Sequence, residues 1–120
     1  MFGKFEIQGV HTTVDDSLRK YVSRKIGGLD RYVSKHNRES AHGEVYLKEG
    51  PAKNNTHSTC EVNIYLPRET INLKESALNM YAAVDITEAK LKQQLKKYKD
   101  LHQTGKMHRH LFARLRRSIV

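Results

Sequence analysis

The chain has 120 residues, 38% of them hydrophobic, which suits one domain with one core. Twenty-two Lys and Arg stand against 13 Asp and Glu, a formal charge of +9 with a pI near 9.8, and that imbalance asks for a polyanionic partner. No apolar run nears the ~20 residues that span a bilayer, MFGKFEIQGV lacks the long apolar core of a secretory signal, and the lone Cys60 leaves no internal disulfide, so a cytoplasmic setting is expected.

Residues 4–8 alternate, with Phe5 and Ile7 opposing Lys4, Glu6 and Gln8, and predict a short half-buried strand. From Asp15 the period turns helical: Leu18, Val22, Ile26, Leu29 and Val33 share one face. Asp15 or Thr13 can cap this helix, and Asp15 and Asp16 suit its positive end. Gly27 and Gly28 each cost about 1 kcal/mol against alanine, yet the stripe continues past them, so one helix bent at the glycines is expected.

Three strands follow. Val45 and Leu47 oppose Glu44, Tyr46 and Lys48; Cys60, Val62, Ile64 and Leu66 oppose Glu61, Asn63 and Tyr65; Ile71 and Leu73 oppose Thr70, Asn72 and Lys74. The polar connector 48–58 with Gly50-Pro51 is expected to be a hairpin loop, and Pro67-Arg68 a short turn. A last long helix is predicted from Ser76 to His102, with Met80, Val84, Leu91, Leu95 and Tyr98 as its core stripe. The order is β-α-β-β-β-α, an α+β two-layer sandwich: a four-stranded sheet with two helices packed on one face. Residues 1–104 form this domain, and 105–120 a basic tail. In the tail Met107, Leu111, Leu115 and Ile119 make a stripe too short to hold a helix alone, so it is expected to be mobile when free and to order on binding.

Residues 89–99, AKLKQQLKKYK, hold five lysines and no acid. Solvated helix faces usually mix signs at i,i+4 spacing, so this one reads as an anion-binding surface. Lys20, Arg24, Arg31 and Lys35 fall on one ridge of the first helix, opposite its core stripe. On the last helix Lys92, Lys96 and Lys99 flank one side of the outward face, and Lys90 and Lys97 the other. With both helices on one sheet face, the two ridges run side by side. Nucleic acid fits better than a membrane, because the apolar stripe of the last helix is used by the sheet. Few side chains are placed for bidentate base contacts, so recognition of folded RNA by shape and backbone is expected.

Nothing here supports catalysis, a cofactor, a metal or a small-molecule substrate. His108-x-His110 has no acid or cysteine nearby and reads as a surface pair. Cys60 lies on the apolar side of its strand and reads as a core thiol. No glycine-rich phosphate loop follows a strand, and no Ser-His-Asp or Cys-His spacing stands out. Tyr46 and Tyr65 point to the wet sheet face, where aromatics can stack bases, but an RNA-recognition motif has a different element order.

NMYAAVD (79–85) followed by AKLKQQLKKYK resembles the signature of the ribosome hibernation factors, the family of hibernation-promoting factor and ribosome-associated inhibitor A. Met80, Tyr81, Ala82, Ala83, Asp85, Lys90, Leu91, Gln94, Leu95, Lys97 and Lys99 match it. In the first helix Leu18, Arg19, Tyr21, Val22, Lys25, Leu29 and Tyr32 match as well, so the likeness covers about residues 4–103. The resemblance implies the same β-α-β-β-β-α fold and binding to the small ribosomal subunit and intact ribosome through rRNA. It further implies a site in the channel where mRNA and the A- and P-site tRNAs meet, blocking of translation with no reaction catalysed, and a monomer off the ribosome. The family's basic helix contacts carry over to Lys25, Lys90, Lys97 and Lys99, beside the Lys20, Arg24, Arg31, Lys92 and Lys96 reached from charge. Asn79 stands where the family has Asp, and Gln93 where a basic residue is common. The tail is basic, and the dimerisation domain of long members is not expected in these 120 residues. The alternative is a double-stranded-RNA-binding module, though its contacts sit in a loop and at the start of the last helix; a small RNA-processing enzyme is a third reading, separable by a nuclease assay.

Overall fold

A computed structural model of the chain describes residues 2–51 and 56–102. The elements run β1 (Lys4–Val10), α1 (Asp16–Lys25), a 3-10 turn (Gly27–Tyr32), a single-turn α2 (Lys35–Arg38), β2 (His42–Pro51), β3 (Thr56–Leu66), β4 (Glu69–Ala77) and α3 (Met80–His102). The sheet order is β1-β2-β3-β4, with β1 parallel to β2 and the other pairs antiparallel. This is the expected α+β architecture. The parallel β1–β2 pair is why a helical crossover, rather than a hairpin, joins them.

Alternation decides which side of each strand is dry. Val45, Leu47, Cys60, Val62, Ile64 and Ile71 are buried and form one cluster with Leu18, Val22 and Ile26 below α1 and with Ala83, Val84, Leu91, Leu95 and Tyr98 below α3. Both helices therefore cover the same sheet face. Thr87, inside this stripe, is fully buried and returns its hydroxyl to the Ala83 carbonyl at 2.8 Å, which satisfies it. The Tyr98 hydroxyl donates to the Pro67 carbonyl at 2.9 Å and ties the end of α3 to the β3–β4 turn. Cys60 is fully enclosed, and burial pushes its thiol up to about 11, so it packs as a small apolar group.

Three expectations change. The sequence predicts one helix through Val33, but α1 ends at Lys25 and the chain tightens into the 3-10 turn at Gly27. Two adjacent glycines favour leaving the α conformation. The core stripe survives because residues three apart also share a face in a 3-10 turn; Leu29 and Val33 remain buried. The connector 48–58 is mostly strand: Lys48 pairs Thr59, Glu49 pairs Ser58, Gly50 pairs His57 and Pro51 pairs Thr56. Finally, α3 begins at Met80 rather than Ser76, since Ser76 and Ala77 belong to β4. Asn79 accepts the Ala82 amide at 2.8 Å and so caps α3, as an aspartate there would. The other cap agrees with expectation: Asp15 accepts the Leu18 amide at 2.7 Å. The tail 105–120 and its His108-x-His110 lie outside the described residues.

Candidate nucleic-acid interface

α1 and the 3-10 turn face α3 through two tyrosine-centred clusters. In the first, the Tyr21 hydroxyl donates to Asp85 Oδ1. Its ring meets Tyr81 edge-on at 4.8 Å between centroids. Arg24 and Lys25 lie 5.4 and 5.6 Å from the Tyr21 centroid. Lys25 Nζ also lies 3.8 Å from Asp85 and 3.8 Å from Glu88. The bond to Asp85, aided by burial and the nearby carboxylate charge, raises the Tyr21 hydroxyl above the ordinary phenol value. Lys25 here is answered by two acids.

The second cluster shows no acid paired with its cations among the described residues. The Tyr32 ring sits between the two elements, with the Arg31 guanidinium 5.1 Å from its centroid and the Lys92 and Lys96 ammonium groups each 5.8 Å away. Hydrogen bonding from Arg31, and then from Lys92, pulls the Tyr32 hydroxyl below the ordinary phenol value. Among the described residues none of these three cations makes an ion pair. The ring face offsets part of their mutual repulsion, at about 0.5–1 kcal/mol per exposed cation–π contact. Gathering three positive charges without an anion costs stability, and the geometry suits a polyanion's phosphates.

The remaining basic residues divide in the same way. Lys90 Nζ lies 2.6 Å from Glu75 Oε1, so its charge is matched by an acid from β4 although no acid follows it in residues 91–99. Lys20 and Arg24 are exposed on α1; Lys97 is exposed and Lys99 half-buried on the last turns of α3; none of the four makes an ion pair among the described residues. The single ridge of Lys20, Arg24, Arg31 and Lys35 does not form, because α1 stops before Arg31. Arg31 instead meets Lys92 and Lys96, while Lys35 sits exposed on α2. The charge reading missed Tyr32 as the centre of this group; its only signal was its place in the family pattern. No described helix is long and apolar enough to cross a membrane.

Comparison with known proteins agrees with this architecture. The family model described as Sigma 54 modulation protein / S30EA ribosomal protein matches residues 5–103. The ribosome hibernation promotion factor of Staphylococcus aureus (strain COL) is 34% identical over 96 residues, covering 80% of this chain and 48% of the relative. That of Lactococcus lactis subsp. cremoris (strain MG1363) is 33% identical over 98 residues, covering 80% and 49%. The chain thus spans about half the length of these curated relatives. Among solved structures, the N-terminal domain of Thermus thermophilus Protein Y superposes with a TM-score of 0.68 at 24% identity, over 82% of this chain and 99% of that one. A ribosomal subunit interface protein from Coxiella burnetii gives 0.63 at 26% identity, over 80% and 97%. With its elements, its helix signature and this match in agreement, the chain belongs to the Sigma 54 modulation protein / S30EA ribosomal protein family, that of the ribosome hibernation promotion factors.

Proposed function

We propose that the chain is a ribosome hibernation factor that lays its helical face on rRNA of the small subunit, in the channel used by mRNA and the A- and P-site tRNAs. It blocks translation there by occupancy, and catalyses nothing. The observation that carries this reading is the acid-free Arg31–Lys92–Lys96 group around Tyr32. Phosphates supply the anions it lacks, and releasing their counterions drives binding. Lys20, Arg24, Lys97 and Lys99 extend the contact along the two helices. Lys25 and Lys90 join it with their carboxylates already in place, so each adds less. The basic stretch 105–120 adds further phosphate contacts. Off the ribosome the protein is a monomer, and its setting is the cytoplasm.

Sedimentation through sucrose gradients tests this directly. The protein should travel with small subunits and intact ribosomes, and ribosomes preloaded with mRNA and initiator tRNA should exclude it. Equal binding to preloaded ribosomes would move the site elsewhere.

A further inference from the structure

On the sheet face away from the helices, β1 and β2 bring Glu6, His42 and Glu44 together, with one ligand atom from each within 4.8 Å of the others. Glu6 and Glu44 are direct partners in the parallel register, so two carboxylates face each other across the ladder, an arrangement that repels. His42 Nε2 is shut off from solvent and has no hydrogen-bond partner among the described residues; such a nitrogen is costly to leave unanswered.

A neighbouring group orients Glu44: the Tyr46 hydroxyl donates to its Oε2 at 2.8 Å. The Tyr65 ring lies 5.5 Å from the His42 ring. Among the described residues the one ion pair to these carboxylates comes from Lys4, an exposed side chain whose ammonium is 3.5 Å from Glu6. A carboxylate oriented by a phenol beside a histidine with a spare nitrogen is the way ligands are commonly held around a metal ion.

We propose that Glu6, His42 and Glu44 bind a divalent first-row transition ion of the zinc class, which pins edge strand β1 to β2. One imidazole and two carboxylates suit such an ion better than the oxygen-only sets preferred by magnesium and calcium. Three protein ligands leave a position for water. Zinc bonds of about 2.0–2.2 Å need the donors closer together than they now stand, a change within reach of glutamate rotamers. The ion removes the Glu6–Glu44 repulsion and answers the His42 nitrogen at once. The site is independent of the RNA-facing cations, which lie across the sheet.

The test uses the full chain, stripped with EDTA, titrated with ZnCl2 by calorimetry and melted with and without the ion, with MgCl2 as control. Zinc should bind saturably and raise the melting temperature reversibly, and magnesium should not. Glu44→Gln should weaken zinc binding at least ~10-fold, and Tyr46→Phe, which only frees the Glu44 carboxylate, by about 10-fold. Glu6→Gln should lose the zinc-induced rise yet melt no lower than wild type in EDTA, since it removes one of the facing charges. If zinc leaves the wild-type melting unchanged, or shifts Glu44→Gln and Glu6→Gln as much as wild type, the proposal is overturned; in the second case the ion sits on other histidines.

Discussion

Tyr21 and Tyr32 lie eleven residues apart on the same side of the sheet, and each has two or more cations near its ring. Tyr21 shares its space with Asp85 and Glu88, whereas Tyr32 has Arg31, Lys92 and Lys96 and no ion-paired acid. The same residue types thus make two different devices. Where charges are matched on both elements, the cluster joins helix to helix. Where they are left unmatched, the cluster is the part of the proposed interface with room for anions from another molecule.

The largest expected effect comes from reversing the unmatched charges. Lys92→Glu with Lys96→Glu and Lys99→Glu should cost several kcal/mol of ribosome binding, roughly 100-fold or more. Melting should barely change, because none of the three makes an ion pair among the described residues that would be lost. Wild-type binding by this variant, measured by co-sedimentation, would make the Tyr32 cluster mere surface. Next is Leu95→Ala, beneath the helix that serves both clusters. Leu95 is fully buried, and truncation should cost about 2–5 kcal/mol of stability. Binding should then fail only near the lowered melting transition.

The two tyrosines can be separated by smaller changes. Tyr21→Phe removes the bond to Asp85 at a partly exposed site and should cost no more than about 1 kcal/mol of stability, with the salt dependence of binding unchanged. Tyr32→Phe keeps the ring face and should leave melting unaltered. A stability loss for Tyr32→Phe larger than that for Tyr21→Phe would reverse the assigned roles. The smallest effect is spectroscopic. Phenol titration followed by NMR should find Tyr32 ionising at lower pH than Tyr21, because cations favour the phenolate and Asp85 disfavours it. Added salt should narrow the gap by screening both. Coincident titrations at low salt would show that the electrostatic contrast is absent.

Much of this contrast was legible in the sequence, but unevenly. The strand faces and the α3 stripe follow from periodicity alone, since Val62, Ile64, Leu91 and Leu95 can be buried in only one phase. That same phase put Lys92 and Lys96 on one flank and Lys90 on the other. What escaped was whatever depends on a second element. Lys90 looked unmatched because Glu75 lies fifteen residues away on β4. The 3-10 turn hid because Ile26 and Leu29 are spaced for either helix type, so Arg31 was assigned to a ridge that does not exist. The β2–β3 extension to Pro51 and Thr56 rests on backbone pairing, which polar side chains do not report. The Glu6–His42–Glu44 cluster depends on a parallel register that alternation leaves open.

The salt dependence of ribosome binding tests the central claim, that unmatched cations contribute more to the RNA contact than matched ones. Two double variants are compared with wild type: Lys92→Gln with Lys96→Gln, and Lys25→Gln with Glu88→Gln, which removes one charge of each sign from the Tyr21 cluster. Each phosphate contact contributes about 0.7–0.9 to the slope of log affinity against log salt. The first variant should therefore flatten the slope by about twice that amount, and the second should flatten it far less. Equal flattening by both, or none by the first, would contradict the account.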